Sequence, residues 1–165
     1  MKHTLLLIML ALSLTTWGCS SKQNDLAKDQ TEQAAGQSSD DSGLTPFQMK
    51  NGIGPVTTEV KVGAIDHDLA EKGKTLFEGK CSACHKIGKR YVGPDLQHVV
   101  SRRTPAYIMN MMMNPGEMIQ KHPVAHQLLA QFMTPMTNQN VSEDQARAIV
   151  EYFRVVNQEK QVSQK

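Results

Sequence analysis

The sequence predicts an all-α domain. Apolar residues recur at helical spacing near both ends of the second half of the chain, and helix-start signals punctuate the stretch between them. No run alternates apolar and polar residues well enough to make a sheet strand. The chain has 165 residues, which suits one ordinary domain. Its formal charge is +2, with 21% charged and 39% hydrophobic residues, so nucleic acid is not the default partner.

The first element expected in that domain is a helix capped by Asp66, with Leu69, Gly73, Leu76 and Phe77 on one face. Gly73 inside a helix costs about 1 kcal/mol against alanine, so a close helix crossing is expected there. Thr104-Pro105 reads as an N-cap with proline at the first helical position, opening a helix over 106–113 that Asn114-Pro115-Gly116 breaks. A further helix is expected over Pro123–Phe132. Ser142-Glu-Asp-Gln145 is a capping box, continued by Ala146, Ile149, Val150, Phe153 and Val156 on one face. The domain so defined runs over 66–160. It carries few aromatics for a core, and a large flat group at its centre would answer that shortage.

The residues before it are of another kind. Lys2 and His3 precede the apolar run Leu5–Leu14, and Gly18 stands just before Cys19. That run is too short to span a membrane and reads as a signal peptide, 1–18. A cysteine directly after the cleavage site resembles the bacterial lipoprotein signal, although Thr16 stands where the usual pattern prefers leucine. The resemblance implies acylation of Cys19, hence an extracytoplasmic, lipid-anchored protein on a bacterial membrane. Residues 19–46 are polar and read as a flexible tether, with Leu26 and Leu44 their only large apolar side chains. Residues 47–65, with a turn at Gly52-Ile-Gly-Pro55, read as an extended arm over the domain.

Chemistry concentrates in Cys81-Ser-Ala-Cys84-His85, the C-x-x-C-H signature of c-type haem attachment. Two thiols add across the haem vinyl groups and the adjacent imidazole ligates iron. A zinc site would need a second pair of ligands, and a thioredoxin-like pair needs a βαβ context. A disulfide between the two cysteines would leave His85 unexplained. With three cysteines in the chain, one for lipid and two for haem leaves none over.

From these residues the sequence resembles the small monohaem class I cytochromes c. The landmarks are Gly73 and Phe77 before the motif, Val92-Gly-Pro-Asp-Leu96 after it, a downstream Pro-Met, and Tyr152-Phe153 on the last helix. The resemblance implies a cytochrome c fold of four to five helices around one covalent haem c. It implies that the first and last helices cross at Gly73, and that the Pro94 carbonyl receives the Nδ1 proton of His85. It implies a methionine as the second axial ligand, from Phe132-Met-Thr-Pro-Met136: Met136 first, Met133 as the alternative, then His126, His122 or His98. Arg102 and Arg103 either reach the haem propionates or form a solvated pair.

Met109, Met111, Met112 and Met113 invite a copper reading, against which stands gap-filling in the core around haem. Lys80, Lys86, Lys89 and Arg90 form either a docking patch for an acidic partner or a solvated face.

The function this implies is one-electron transfer and not enzymatic turnover. The redox partners would be a quinol-oxidising complex upstream and a terminal reductase or oxidase downstream. The arm, the segment 123–132 and the Pro-Met-Thr-Asn-Gln loop are similar to lipoprotein cytochromes associated with nitrous-oxide reduction. The alternative is a haem gas sensor or haem enzyme with a labile sixth ligand.

Overall fold

The structure, a computed structural model, describes residues 42–163. The expected signal segment, Cys19 and most of the tether lie outside these residues. The described part contains seven helices and no strand: α1 (Pro46–Asn51), α2 (His67–Lys80), α3 (Val99–Arg102), α4 (Pro105–Met113), α5 (Pro115–Lys121), α6 (Pro123–Phe132) and α7 (Glu143–Ser163). None of them is long and apolar enough to cross a membrane.

The two helices that frame the domain form where the sequence places them. Asp66 accepts the Leu69 amide proton at 2.9 Å to start α2, and Ser142 exchanges hydrogen bonds with Gln145 to start α7. The two helices cross so closely at Gly73 that a Cβ there would collide with the Ala148 carbonyl. Phe77 then stacks against Tyr152 and Phe153, with ring centroids 5.5 and 5.7 Å away. The expected close crossing is therefore present, and glycine is the residue it requires.

Three consecutive helices, α4 to α6, each open with proline at the first position, where no amide donor is needed. Asn114-Pro115-Gly116 does end α4 as expected, but Pro115 also starts α5, a helix that a breaker signal does not predict. Helix α4 is buried over residues 106–110 and at Met112. Met109 and Met112 enter the main core with Phe77, Ile149, Val150 and Phe153. Met111 packs on a second cluster of Ile53, Tyr107, Met118 and Ala125. The methionines of α4 thus divide between two apolar clusters, the distribution that gap-filling predicts.

The segment expected as an extended arm differs most. It opens with α1, because Thr45 and Gln48 make a reciprocal capping box and Pro46 occupies the first turn. The rest is clamped to the domain as a strap. Asn110, fully buried in α4, accepts the Val56 amide proton at 2.9 Å and donates to the Asn51 and Val56 carbonyls at 3.0 and 2.9 Å. Asn114 donates to the Ile53 carbonyl, and the Ile53 amide points at the Met118 sulfur. At its far end, Asp66 N–H donates to the buried carboxylate of Glu151, which also pairs with Arg147 and Arg154. A buried carboxylate held this way has its charge and its lone pairs answered.

Candidate functional site

Helix α2 ends at Phe77–Lys80, and its last carbonyls turn the chain into the Cys-x-x-Cys-His segment. Phe77 O receives the Cys81 and Ser82 amide protons; Cys81 O receives those of Cys84 and His85. This tight turn sets Cys81 and Cys84 one turn apart, the spacing that puts two side chains on one side of a helical coil. Both cysteines are free thiols, Cys81 half-buried and Cys84 exposed. Burial pushes the Cys81 thiol up, with Lys80 opposing.

His85 is half-buried, and its Nδ1 lies 3.1 Å from the Pro94 carbonyl oxygen. A carbonyl can only accept, so Nδ1 carries the proton and Nε2 keeps the lone pair that a metal needs. Burial moves its pKa below the ordinary value, with the Pro94 hydrogen bond opposing, so the ring is neutral at pH 7. The ring rests on Gly93, where a Cβ would lie 2.5 Å from His85 Cε1. Gly93 was visible only as a landmark beside Pro94; its role as the floor under the imidazole comes from the structure.

The loop around these residues is internally tied. Asp95 Oδ1 accepts from the Gly88 and Gln97 amides at 2.7 and 2.9 Å. Gly93 N–H donates to Cys84 O, and Leu96 N–H to Lys86 O. Arg102 is exposed and donates to the Asp95 carbonyl at 3.0 Å, so it braces this loop.

The two methionines of the candidate axial loop have different surroundings. Met133 is the αL residue that ends α6 and is 82% exposed. Met136 is half-buried and packs against the main core cluster. The histidines named as alternatives are otherwise engaged or remote from the core. His122 is buried with Nε2 on the Met49 carbonyl, His98 bonds Asn157, and His126 is exposed. Among the described residues, no group of three or more His, Cys, Asp or Glu gathers as a metal site.

These residues fit a c-type haem. Two free thiols and a neutral imidazole with its Nε2 lone pair available follow one another in a single turn. Around them Cys81, Ile87, Leu96, Val99, Val100, Met113 and Met136 pack on the core yet remain only partly covered. That is apolar surface a flat group would cover.

Of the four cations near the motif, three have intramolecular roles. Lys80 donates to Gln139 O at 3.0 Å, Lys86 donates to Ser82 O and stands over Tyr91, and the Arg90 guanidinium lies 4.3 Å over the Phe132 ring. Tyr91, Val92 and Met133 are exposed large apolar residues.

Comparison with known proteins gives a consistent picture. Residues 70–157 match the family described as Cytochrome c. A solved cytochrome c from Rhodothermus marinus is 48% identical, superposes with a TM-score of 0.65, and is matched over 69% of this chain and 98% of its own. An engineered form of that protein, solved bound to a carbene intermediate, is 46% identical over 68% of this chain and 98% of its own, with a TM-score of 0.62. Among curated proteins, none matches this chain.

Proposed function

The chain belongs to the cytochrome c family of haem-based electron carriers, and on that premise we propose that it is a monohaem carrier tethered to a membrane. The observation that carries the haem-carrier part of this reading is the single turn in which Cys81, Cys84 and His85 follow one another, with His85 Nδ1 held by the Pro94 carbonyl. The haem, when bound, supplies one-electron cycling of its iron between ferric and ferrous states. Cys81 and Cys84 attach it as thioethers. His85 presents Nε2, and Pro94 and Gly93 fix the plane in which that nitrogen points. Met136 would hold the iron together with His85; its half-burial against the core supports it over the exposed Met133. A thioether in that position raises the reduction potential relative to a second imidazole.

The finer assignments rest on the sequence. Cys19 is acylated and anchors the chain on the extracytoplasmic side of a bacterial membrane, with the residues after it as a tether. A quinol-oxidising complex supplies electrons, and a terminal reductase or oxidase, of the nitrous-oxide-respiring type, takes them. Lys89, exposed beside Tyr91 and Val92, together with the partly engaged Lys86 and Arg90, supports docking onto an acidic partner.

The test is a set of visible spectra of the holoprotein, oxidised, reduced, and reduced with carbon monoxide. A low-spin reduced spectrum that carbon monoxide leaves unchanged supports the carrier. Rapid carbon monoxide binding would assign a labile sixth position, and with it sensing or catalysis.

A further inference from the structure

Far from Cys81 and His85 in the sequence, three buried polar atoms have no hydrogen-bond partner of good geometry among the described residues: Asn51 Nδ2, His122 Nδ1 and Tyr107 Oη, the last approached by the Arg103 guanidinium. All three belong to one neighbourhood. The Tyr107 and His122 rings meet edge to face at 5.1 Å. Asn51 Oδ1 accepts from Thr104 Oγ1 at 2.8 Å, and Thr104 Oγ1 caps the Tyr107 amide. His122 Nε2 lies 3.1 Å from the Met49 carbonyl, two residues before Asn51. The site therefore sits where the C-terminal turn of α1, the start of the strap, meets α4 and the α5–α6 junction.

The chemistry of the three atoms is complementary. Because Met49 O can only accept, His122 Nε2 carries the proton and Nδ1 is a bare acceptor. Asn51 Nδ2 is a donor, and the Tyr107 hydroxyl can donate its proton while its oxygen faces Arg103. Two donors and one acceptor are what a single water satisfies, accepting twice and donating once. His122 and Asn51 are 1% and 2% exposed and Tyr107 is 5% exposed, so bulk solvent does not serve these atoms.

We propose that Asn51, Tyr107 and His122 form an internal water site that latches the strap to the domain, and that proton uptake at His122 Nδ1 opens the latch. A protonated Nδ1 loses the hydrogen bond that the water donates to it and competes with Asn51 Nδ2 and Tyr107 Oη for the water's two lone pairs. The Met49 and Gln48 carbonyls favour a cation at His122, while burial and the Arg103 charge oppose it. Arg103 lies 5.2 Å over the Tyr107 ring and adds like charge, Tyr107 is neutral, and α1 contributes only the Met49 and Gln48 carbonyls and the Asn51 amide. Burial, with the Arg103 charge adding, moves His122 below its ordinary value of 6.5, against the two carbonyls. The docked strap thus binds the proton more weakly than the undocked one. Docking is full above about pH 6.5 and weakens as the pH falls below it, by no more than about tenfold per unit for one proton.

The experiment follows native-state amide exchange of the holoprotein at pH 7.5 and pH 5.0, corrected for intrinsic exchange. The strap reporters are Ile53 and Val56, whose amides bond Met118 and Asn110; Ile149 in α7 reports global opening. Strap opening should rise at least about threefold at pH 5.0 relative to Ile149, within the one-proton limit. His122→Gln keeps a donor for Met49 O and should remove that rise. An equal rise in His122→Gln, or none in the wild type, overturns the latch. Should His122→Gln fail to fold, nitrogen NMR of the wild type decides it: titration of His122 with strap protection unchanged overturns the proposal. A high-resolution structure of the holoprotein at pH 7.5 should show the water; a direct bond from Tyr107 Oη to His122 Nδ1 in its place overturns the site.

Discussion

Lys80 Nζ donates to the carbonyl oxygen of Gln139 at 3.0 Å, so the residue preceding Cys81 is tied to the loop that carries Met136. The two segments that supply the candidate axial ligands lie more than fifty residues apart in the chain, and this bond is a direct brace between them. Asn138 Nδ2, donating to Met113 O, adds a second brace from the same loop to α4.

Exchanging methionines in that loop separates the two candidates. Met136→Ala should turn the ferric spectrum high-spin, lower the reduction potential, and open the ferrous form to carbon monoxide. Met133→Ala should leave all three unchanged, because its side chain is 82% exposed. Spectroelectrochemistry on both variants checks the assignment, and a Met136→Ala protein with wild-type spectrum and potential would overturn it.

Gly93→Ala tests the floor under the imidazole. The new methyl would lie 2.5 Å from His85 Cε1, so the ring must tilt or the 93–94 backbone must retreat from its hydrogen bond. The expected outcome is a stability loss of about 1–3 kcal/mol together with a shifted reduction potential. Denaturant titration and potentiometry measure the two.

Gly73→Ala tests the crossing of α2 and α7. Alanine is the better helix former by about 1 kcal/mol, so an isolated helix would gain. Here the Cβ collides with the Ala148 carbonyl, and backbone cannot yield as a flexible side chain can. A net loss of about 1–3 kcal/mol in denaturant titration is expected; a gain would mean the helices are free to separate.

Glu151→Ala strands two arginines and the Asp66 amide at once. Removing one member of a buried ionic group typically costs about 3–5 kcal/mol. Thermal unfolding should show this, and Arg147→Met, whose side chain is 27% exposed, should cost clearly less.

Much of this was legible in the residue order. Asp66, Thr104-Pro105 and Ser142-Glu-Asp-Gln145 place helix starts because capping is local chemistry, complete within four residues. The haem motif is likewise contiguous, and Gly73 announced a crossing because nothing else justifies glycine there. What escaped is of two kinds. Helix α1 has a full capping box in Thr45 and Gln48, but it follows a long polar stretch and is only six residues long. Helix α5 begins at the proline that ends α4, and one residue served as both stop and start. The strap is the second kind: Asn110 reads as a polar interruption in a methionine-rich helix, and its three bonds reach residues over fifty positions away. Gly93 under His85 belongs with it, since only three-dimensional proximity reveals the contact.

The clasp between Gly73 and Ala148 also has a consequence in time. Helix α2 is made well before its partner α7, so in the interval the face bearing Gly73 and Phe77 lacks Ala148, Ile149 and Phe153 to pack on. Closing a loop of about 75 residues carries an entropic penalty that only the completed α7 can offset. Folding of this domain therefore awaits α7. Cys81 spends that interval without the part of its core cluster that Ile149, Val150 and Phe153 supply.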